Sequence, residues 1–211
     1  MFNPTDNFRI GFNYKSEIIL EADDADADFE NIPNSPLTPF ADTKASAALP
    51  LPAELTVGLS YEFCDKWTFA FDYNRAFWDV YDSLDIDFAD ENIPDSFNQR
   101  NYKNASTYRF GLQYDATSKF TLRAGYYYDE SPVQEGFFAP ETPRNDSNGF
   151  TGGLTFNVSP KFQVDASFLY LQFNEVDASY DPYFENGNDA PFRGTYKSNA
   201  FIPGLGVTYK M

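Results

Sequence analysis

The chain has no histidine, a single cysteine, and 15 Lys and Arg against 32 Asp and Glu, for a net charge of −17 over 211 residues. Each shortage excludes something. Without His, the usual general base and the commonest metal ligand are missing, and no nucleophile–His pair can be assembled. Paired carboxylates remain as a route to glycosidase chemistry, but no spacing points to them. We read the chain as a non-enzyme with no cofactor. Cys64 has no partner for an internal disulfide and lies in a short turn, Cys64-Asp65-Lys66, where an incidental role is the ordinary expectation. The scarcity of cations speaks against nucleic acid as a partner, because phosphate contacts need Lys and Arg. No apolar run of about 18 residues exists, so no transmembrane helix is expected. The opening Met1-Phe2-Asn3-Pro4-Thr5-Asp6 has neither the basic start nor the apolar run of an export signal.

What the chain has instead is aromatic residues, 23 Phe and 15 Tyr, in an otherwise polar sequence. They are spaced by two. Ala53, Leu55, Val57, Leu59, Tyr61 and Phe63 alternate with Glu54, Thr56, Gly58, Ser60 and Glu62, which is the pattern of a strand with one apolar face. After the 64–66 turn, Trp67, Phe69, Phe71 and Tyr73 continue the alternation. The apolar phase then flips towards Trp78, Val80, Leu84, Ile86 and Phe88, which predicts a β-bulge or a register break. Similar rows run through Tyr108–Tyr114, Phe120–Tyr128, Phe150–Val158, Phe162–Tyr170 and Phe201–Met211, with a less regular one over Phe8–Leu20.

The connections suggest the architecture. Short turns are predicted near 64–66, 116–118 and 159–161, and long loops over roughly 21–48, 89–103, 131–148 and 176–194. Strict alternation of tight turns with long loops is the habit of an antiparallel up-and-down transmembrane β-barrel of the outer-membrane type. About eight strands are expected. The residues opposite the apolar face include Glu54, Glu62, Asp72, Arg109, Arg123 and Asp165, with Gly58, Gly111, Gly125 and Gly153 among them. In a barrel these line the interior while the apolar face meets lipid. The expected location is the outer membrane of a Gram-negative type of bacterium, with the bilayer and lipopolysaccharide as surroundings.

Several groups invite a functional reading. The acidic stretch Glu21–Asp28 offers oxygen ligands for a hard cation, but it lacks a binding-loop spacing and reads better as a solvated acidic loop. The same holds for Asp85, Asp87, Asp90, Glu91 and Asp95. Asp72, Asp165, Arg109 and Arg123 form either a polar gate that holds a carboxylate or, as the favoured reading, mutually neutralising pairs. Tyr126-Tyr127-Tyr128, Trp67 and Trp78 suit an interfacial aromatic belt better than an apolar ligand site.

At Tyr102–Pro132 the sequence resembles the FadL-type outer-membrane transporters of long-chain fatty acids and other hydrophobic compounds. The match rests on Tyr108-Arg109-x-Gly111, on Leu122-Arg123-Ala124-Gly125-Tyr126, and on Asp129-x-Ser131-Pro132-Val133. Leu51-Pro52-Ala53, Trp78 and Tyr14-Lys15-Ser16-Glu17-Ile18 resemble the family as well. The tail Gly206-Val207-Thr208-Tyr209-Lys210-Met211 is similar to the terminal strand that barrel-assembly machinery reads, with Met where Phe is usual. The resemblance implies a fourteen-stranded barrel plugged by an N-terminal hatch. Residues 1–211 would be its C-terminal part, without hatch, signal peptide or first strands. It implies passive transport of a long-chain fatty acid or similar compound, with Arg109, Arg123, Tyr127, Asp129 and Trp78 as candidate ligand-binding residues. A self-contained eight-stranded barrel with a structural or surface-binding role is the alternative, and pairing of the first strand with the last is its signature.

Overall fold

The computed structural model describes residues 1–31, 41–139, 143–182 and 192–210. Its main body is one antiparallel sheet. In sheet order its strands are β1 (Phe2–Thr5), β2 (Phe8–Lys15), β5 (Glu54–Phe63), β6 (Trp67–Ala76), β9 (Ala105–Asp115), β10 (Phe120–Asp129), β11 (Ser147–Ser159), β12 (Phe162–Phe173) and β15 (Asn199–Tyr209). Each strand lies beside the next sheet strand along the chain, as in an up-and-down meander. The sheet has nine strands rather than about eight, because the four-residue β1 pairs back on β2. It is open: β1 and β15 stand at opposite edges. The pairing of first strand with last that a self-contained barrel needs is therefore not made.

The other strands belong to the long connections. β3 (Ile18–Ala27), β4 (Thr43–Leu51), β7 (Ser83–Phe88) and β8 (Ser96–Gln99) form a second, four-stranded sheet. β13 (Val176–Tyr180) and β14 (Phe192–Tyr196) form a hairpin. This corrects three expectations. The stretch Glu21–Asp28 is largely strand, exposed but paired with β4, and not a loop. The irregular first segment over 8–20 is two strands, parted at Ser16-Glu17. The phase flip after Tyr73 is not a bulge: β6 keeps unbroken register with both neighbours as far as Ala76. The chain then makes a 3-10 turn at Trp78–Val80 and enters β7 in the other sheet. A strand end followed by a new strand shows the same change of phase in sequence as a bulge does.

Register brings the apolar residues of every long strand to one face. Leu59, Phe71, Phe110, Tyr126, Phe150, Tyr170 and Phe201 form one continuous cross-strand row. Nearer the short turns, Trp67 stacks on Tyr114 at 4.3 Å and Phe120 on Phe156 at 4.8 Å. Leu112, Leu122, Leu154 and Leu205 lie between the aromatic groups and are exposed, Leu205 at 79%. A strand of about ten residues rises roughly 34 Å, and a tilt near 45° reduces this to about the thickness of a bilayer's hydrocarbon core. An apolar face of that height, edged by aromatic residues, is suited to lipid. Close packing occurs elsewhere. Ile93, Arg100, Pro132, Phe138, Ala139 and Tyr180 are buried, and all six belong to the long connections. Tyr180 donates from its hydroxyl to the Gln99 carbonyl at 2.9 Å, and Phe138 packs on Tyr196 at 4.4 Å. The long connections therefore form a packed cap over one end of the sheet.

Candidate functional site

Period two sends the other half of each strand to the opposite, polar face. In register, Gly11, Gly58, Asp72, Arg109, Tyr127 and Gly149 form one row, and Ser60, Ala70, Gly111, Gly125 and Thr151 form the next. The small residues leave a concavity of about 640 Å³, bordered by Arg9, Asp72, Arg109, Gln113 and Arg123. The predicted placing of Gly58, Gly111, Gly125 and Gly153 on the polar face is correct.

The three arginines of this face are held differently. Arg9 pairs with Glu62 at 2.7 Å. Arg109 donates to Asp72, its direct cross-strand partner, at 2.8 Å. Both are therefore neutralised, as expected for Arg109 and Asp72. Arg123 is not. Its Nε donates to the Gln113 side-chain oxygen at 2.9 Å and its Nη1 to Thr155 Oγ1 at 2.6 Å. Among the described residues it has no carboxylate within ion-pair distance. The expected neutralisation is therefore not made for Arg123 and Asp165, because Thr155 donates its hydroxyl proton to Asp165 and stands between the two.

Thr155 was not among the residues singled out from sequence. A signal for it exists in two Gln-x-Asp repeats, Gln113-Tyr114-Asp115 and Gln163-Val164-Asp165. In each, the Gln amide reaches the Asp two residues on, and a Thr of the adjoining strand donates to the same carboxylate, Thr121 to Asp115 and Thr155 to Asp165. The two Thr are themselves cross-strand partners. Arg123 lies between the two units.

The remaining candidates lie apart. Tyr127 is the register partner of both Arg109 and Gly149, and its ring covers the space where a Gly149 side chain would be. Asp129, nearer the cap, accepts from Thr107 and from Arg144, the latter at 2.6 Å. Trp78 is in the 3-10 turn, within an aromatic group formed with Tyr81 and Tyr102 at 6.2 and 5.8 Å. Tyr126 and Tyr128 face the apolar side, their hydroxyls donating to Asn148 and Asp146, whereas Tyr127 is on the polar face, which corrects the belt reading for that residue because neighbouring residues of a strand point to opposite faces. Of the five candidates, then, only Arg109 and Arg123 border the concavity.

The acidic stretches are used structurally. Lys44 bonds Asp26 across β3 and β4; that hydrogen bond and the Lys charge hold the Asp26 carboxyl below the usual carboxylate range. Asp90 accepts from the backbone and side chain of Asn92, which lowers its carboxyl likewise. Asp95 accepts from the Phe88 amide at 2.8 Å. No cluster of three potential metal ligands occurs among the described residues.

Comparison with known proteins agrees with this geometry. The family described as outer membrane protein transport protein (OMPP1/FadL/TodX) matches over residues 1–211. A 47 kDa outer membrane protein of Pasteurella multocida is 28% identical over 77% of this chain and 35% of its own length. Among solved structures, a FadL homologue of Pseudomonas aeruginosa superposes with a TM-score of 0.79 at 20% identity, covering 99% of this chain and 50% of that one. The toluene transporter TodX of Pseudomonas putida gives 0.63 at 20% identity, over 99% and 46%. The chain spans about half the length of curated relatives that match most of it. The chain belongs to the OMPP1/FadL/TodX family of outer-membrane transport proteins, and its sheet is an arc of the β-barrel fold its structural neighbours share.

Proposed function

We propose that residues 1–211 form the C-terminal wall of a passive outer-membrane channel for hydrophobic compounds, and that Arg123 takes the carboxylate of an amphiphile such as a long-chain fatty acid. The apolar face contacts the bilayer and the lipopolysaccharide leaflet, the cap meets the compound first, and the polar face guides it through the interior. The terminal strand β15 engages the barrel-assembly machinery. One observation carries the choice of Arg123. It borders the concavity with neutral partners only, whereas Arg9 and Arg109 are already paired with carboxylates. Tyr127, Asp129 and Trp78, lying elsewhere, are assigned to the walls and the cap rather than to the headgroup.

The test is direct binding of a long-chain fatty acid to the complete barrel in detergent. A hydrogen bond to a charged group contributes about 1.5–3 kcal/mol, which corresponds to tenfold or more in affinity. Arg123→Gln is expected to weaken binding by that factor, and Arg109→Gln to have a smaller effect. Normal binding by Arg123→Gln would remove the headgroup assignment and favour an uncharged cargo.

A further inference from the structure

We infer that Thr155 is a positioning residue that keeps Arg123 from collapsing onto Asp165, and so keeps a positive charge open to the concavity. This rests on the proposed role of Arg123. A hydroxyl has one proton to give. The guanidinium can only donate and the carboxylate can only accept, so the proton of Thr155 is committed to Asp165 and its lone pair to Arg123. The result is a fixed series of cation, hydroxyl and anion. Register explains the geometry. Arg123 lies opposite Gly153, which has no side chain to obstruct it, and Thr155 is the diagonal neighbour, itself opposite Asp165. The Asp165 carboxylate is held from its other side by the Gln163 amide at 2.8 Å, and Arg123 by Gln113. Thr155 is 3% exposed, so water cannot take the place of its hydroxyl without rearrangement.

Without that hydroxyl, a cation on β10 and an anion on β12 would face each other across β11. Their attraction, and the fit of guanidinium to carboxylate, would draw them into a direct pair. Arg123 would then resemble Arg109, neutralised against the wall. The backbone need not move, because β11 keeps unbroken register with both β10 and β12 from Ser147 to Phe156.

The experiment measures binding of hexadecanoic acid and of its uncharged methyl ester to the complete barrel in detergent. The readout is the ratio of the two affinities. Thr155→Val, which keeps shape and loses the hydroxyl, is expected to reduce the preference for the acid about tenfold and leave the ester unaffected. Thr155→Ser is expected to retain the wild-type ratio. Thr155→Val combined with Asp165→Asn is expected to recover the preference, because no anion remains for Arg123 to pair with; a merely structural role for Thr155 would not show this recovery. A wild-type ratio in Thr155→Val overturns the inference while the proposed function stands, provided Arg123→Gln abolishes the preference. A wild-type ratio in Arg123→Gln removes the headgroup reading itself. If Thr155→Val does not fold, Asp165→Asn alone decides: an unchanged or higher preference for the acid is expected, and a fall would overturn the inference.

Discussion

Glycine in a strand weakens it, so each one here calls for a reason, and two kinds are visible. A Cβ on Gly149 would stand 2.0 Å from the Tyr127 ring, and one on Gly152 would stand 2.4 Å from the Phe168 ring. In both cases an aromatic ring on the neighbouring strand lies over the bare backbone, on the polar face for Tyr127 and on the apolar face for Phe168. At Gly111 the nearest atom to an added Cβ is Ala70 Cβ at 3.8 Å, an ordinary contact. The two kinds should respond oppositely. Gly149→Val is expected to destabilise the folded barrel by about 1–3 kcal/mol, as overpacking does. Gly111→Ala is expected to be neutral or to stabilise by about 0.5–1 kcal/mol, through a less flexible unfolded chain. Urea unfolding of the complete barrel in detergent would show a lower midpoint for the first and not for the second. Period two alone places Gly111 on the polar face. It cannot reveal which glycines lie beneath a ring, since that depends on cross-strand register. Thr155 was missed for the same reason: its partners Arg123 and Asp165 come from two other strands.

At the scale of elements, alternation located the long strands and the three short turns near 64–66, 116–118 and 159–161, because each of those strands presents one apolar face along its whole length. Legibility ended where that face ended. β3 has no bilayer to face, so its sequence loses the alternation and reads as acidic loop, with Asp26 against Lys44 of β4; β7 keeps the alternation at Leu84, Ile86 and Phe88. Trp78 illustrates the boundary too, standing in a turn where the phase change suggested a bulge. The alternation of connections also sets a direction. The cap comprises the long connections and the short turns lie at the opposite end, so in an outer-membrane barrel the short turns face the periplasm. Cys64 tests this. It is exposed in the β5–β6 turn, where Cys64 and Asp65 take positive φ values of 56° and 43°. With Cys64 the only cysteine in the chain, a membrane-impermeant maleimide applied to intact cells is expected to leave it unlabelled. Permeabilising the outer membrane is expected to expose it. Labelling in intact cells would reverse the orientation.

For the whole molecule, the sheet has an economy unlike that of a soluble protein. Its large apolar residues lie on one face and Asp72, Arg109, Arg123 and Asp165 on the other, while the buried large side chains, Ile93, Phe138 and Tyr180, are in the cap. Burial against lipid, not against a second layer, is what such a sheet needs. That need leaves the edges as the weak point. β1 covers only part of β2, and β15 pairs on one side, with β12. Unpaired strand groups within hydrocarbon each cost several kcal/mol, so an open arc of this kind cannot be stable in a bilayer by itself. The relatives, about twice as long, have the additional length to complete the circle. Residues 1–211 refolded alone into detergent micelles are therefore expected to give no species whose gel mobility changes on boiling. Refolded together with the complementary part of a relative's barrel, they are expected to give one, because both open edges then find partners. A mobility shift from the chain alone would mean that β1 or β2 reaches β15 after all. The interior would then be too narrow for cargo, since about eight strands enclose little more than their own side chains, and the channel reading would give way to the self-contained barrel.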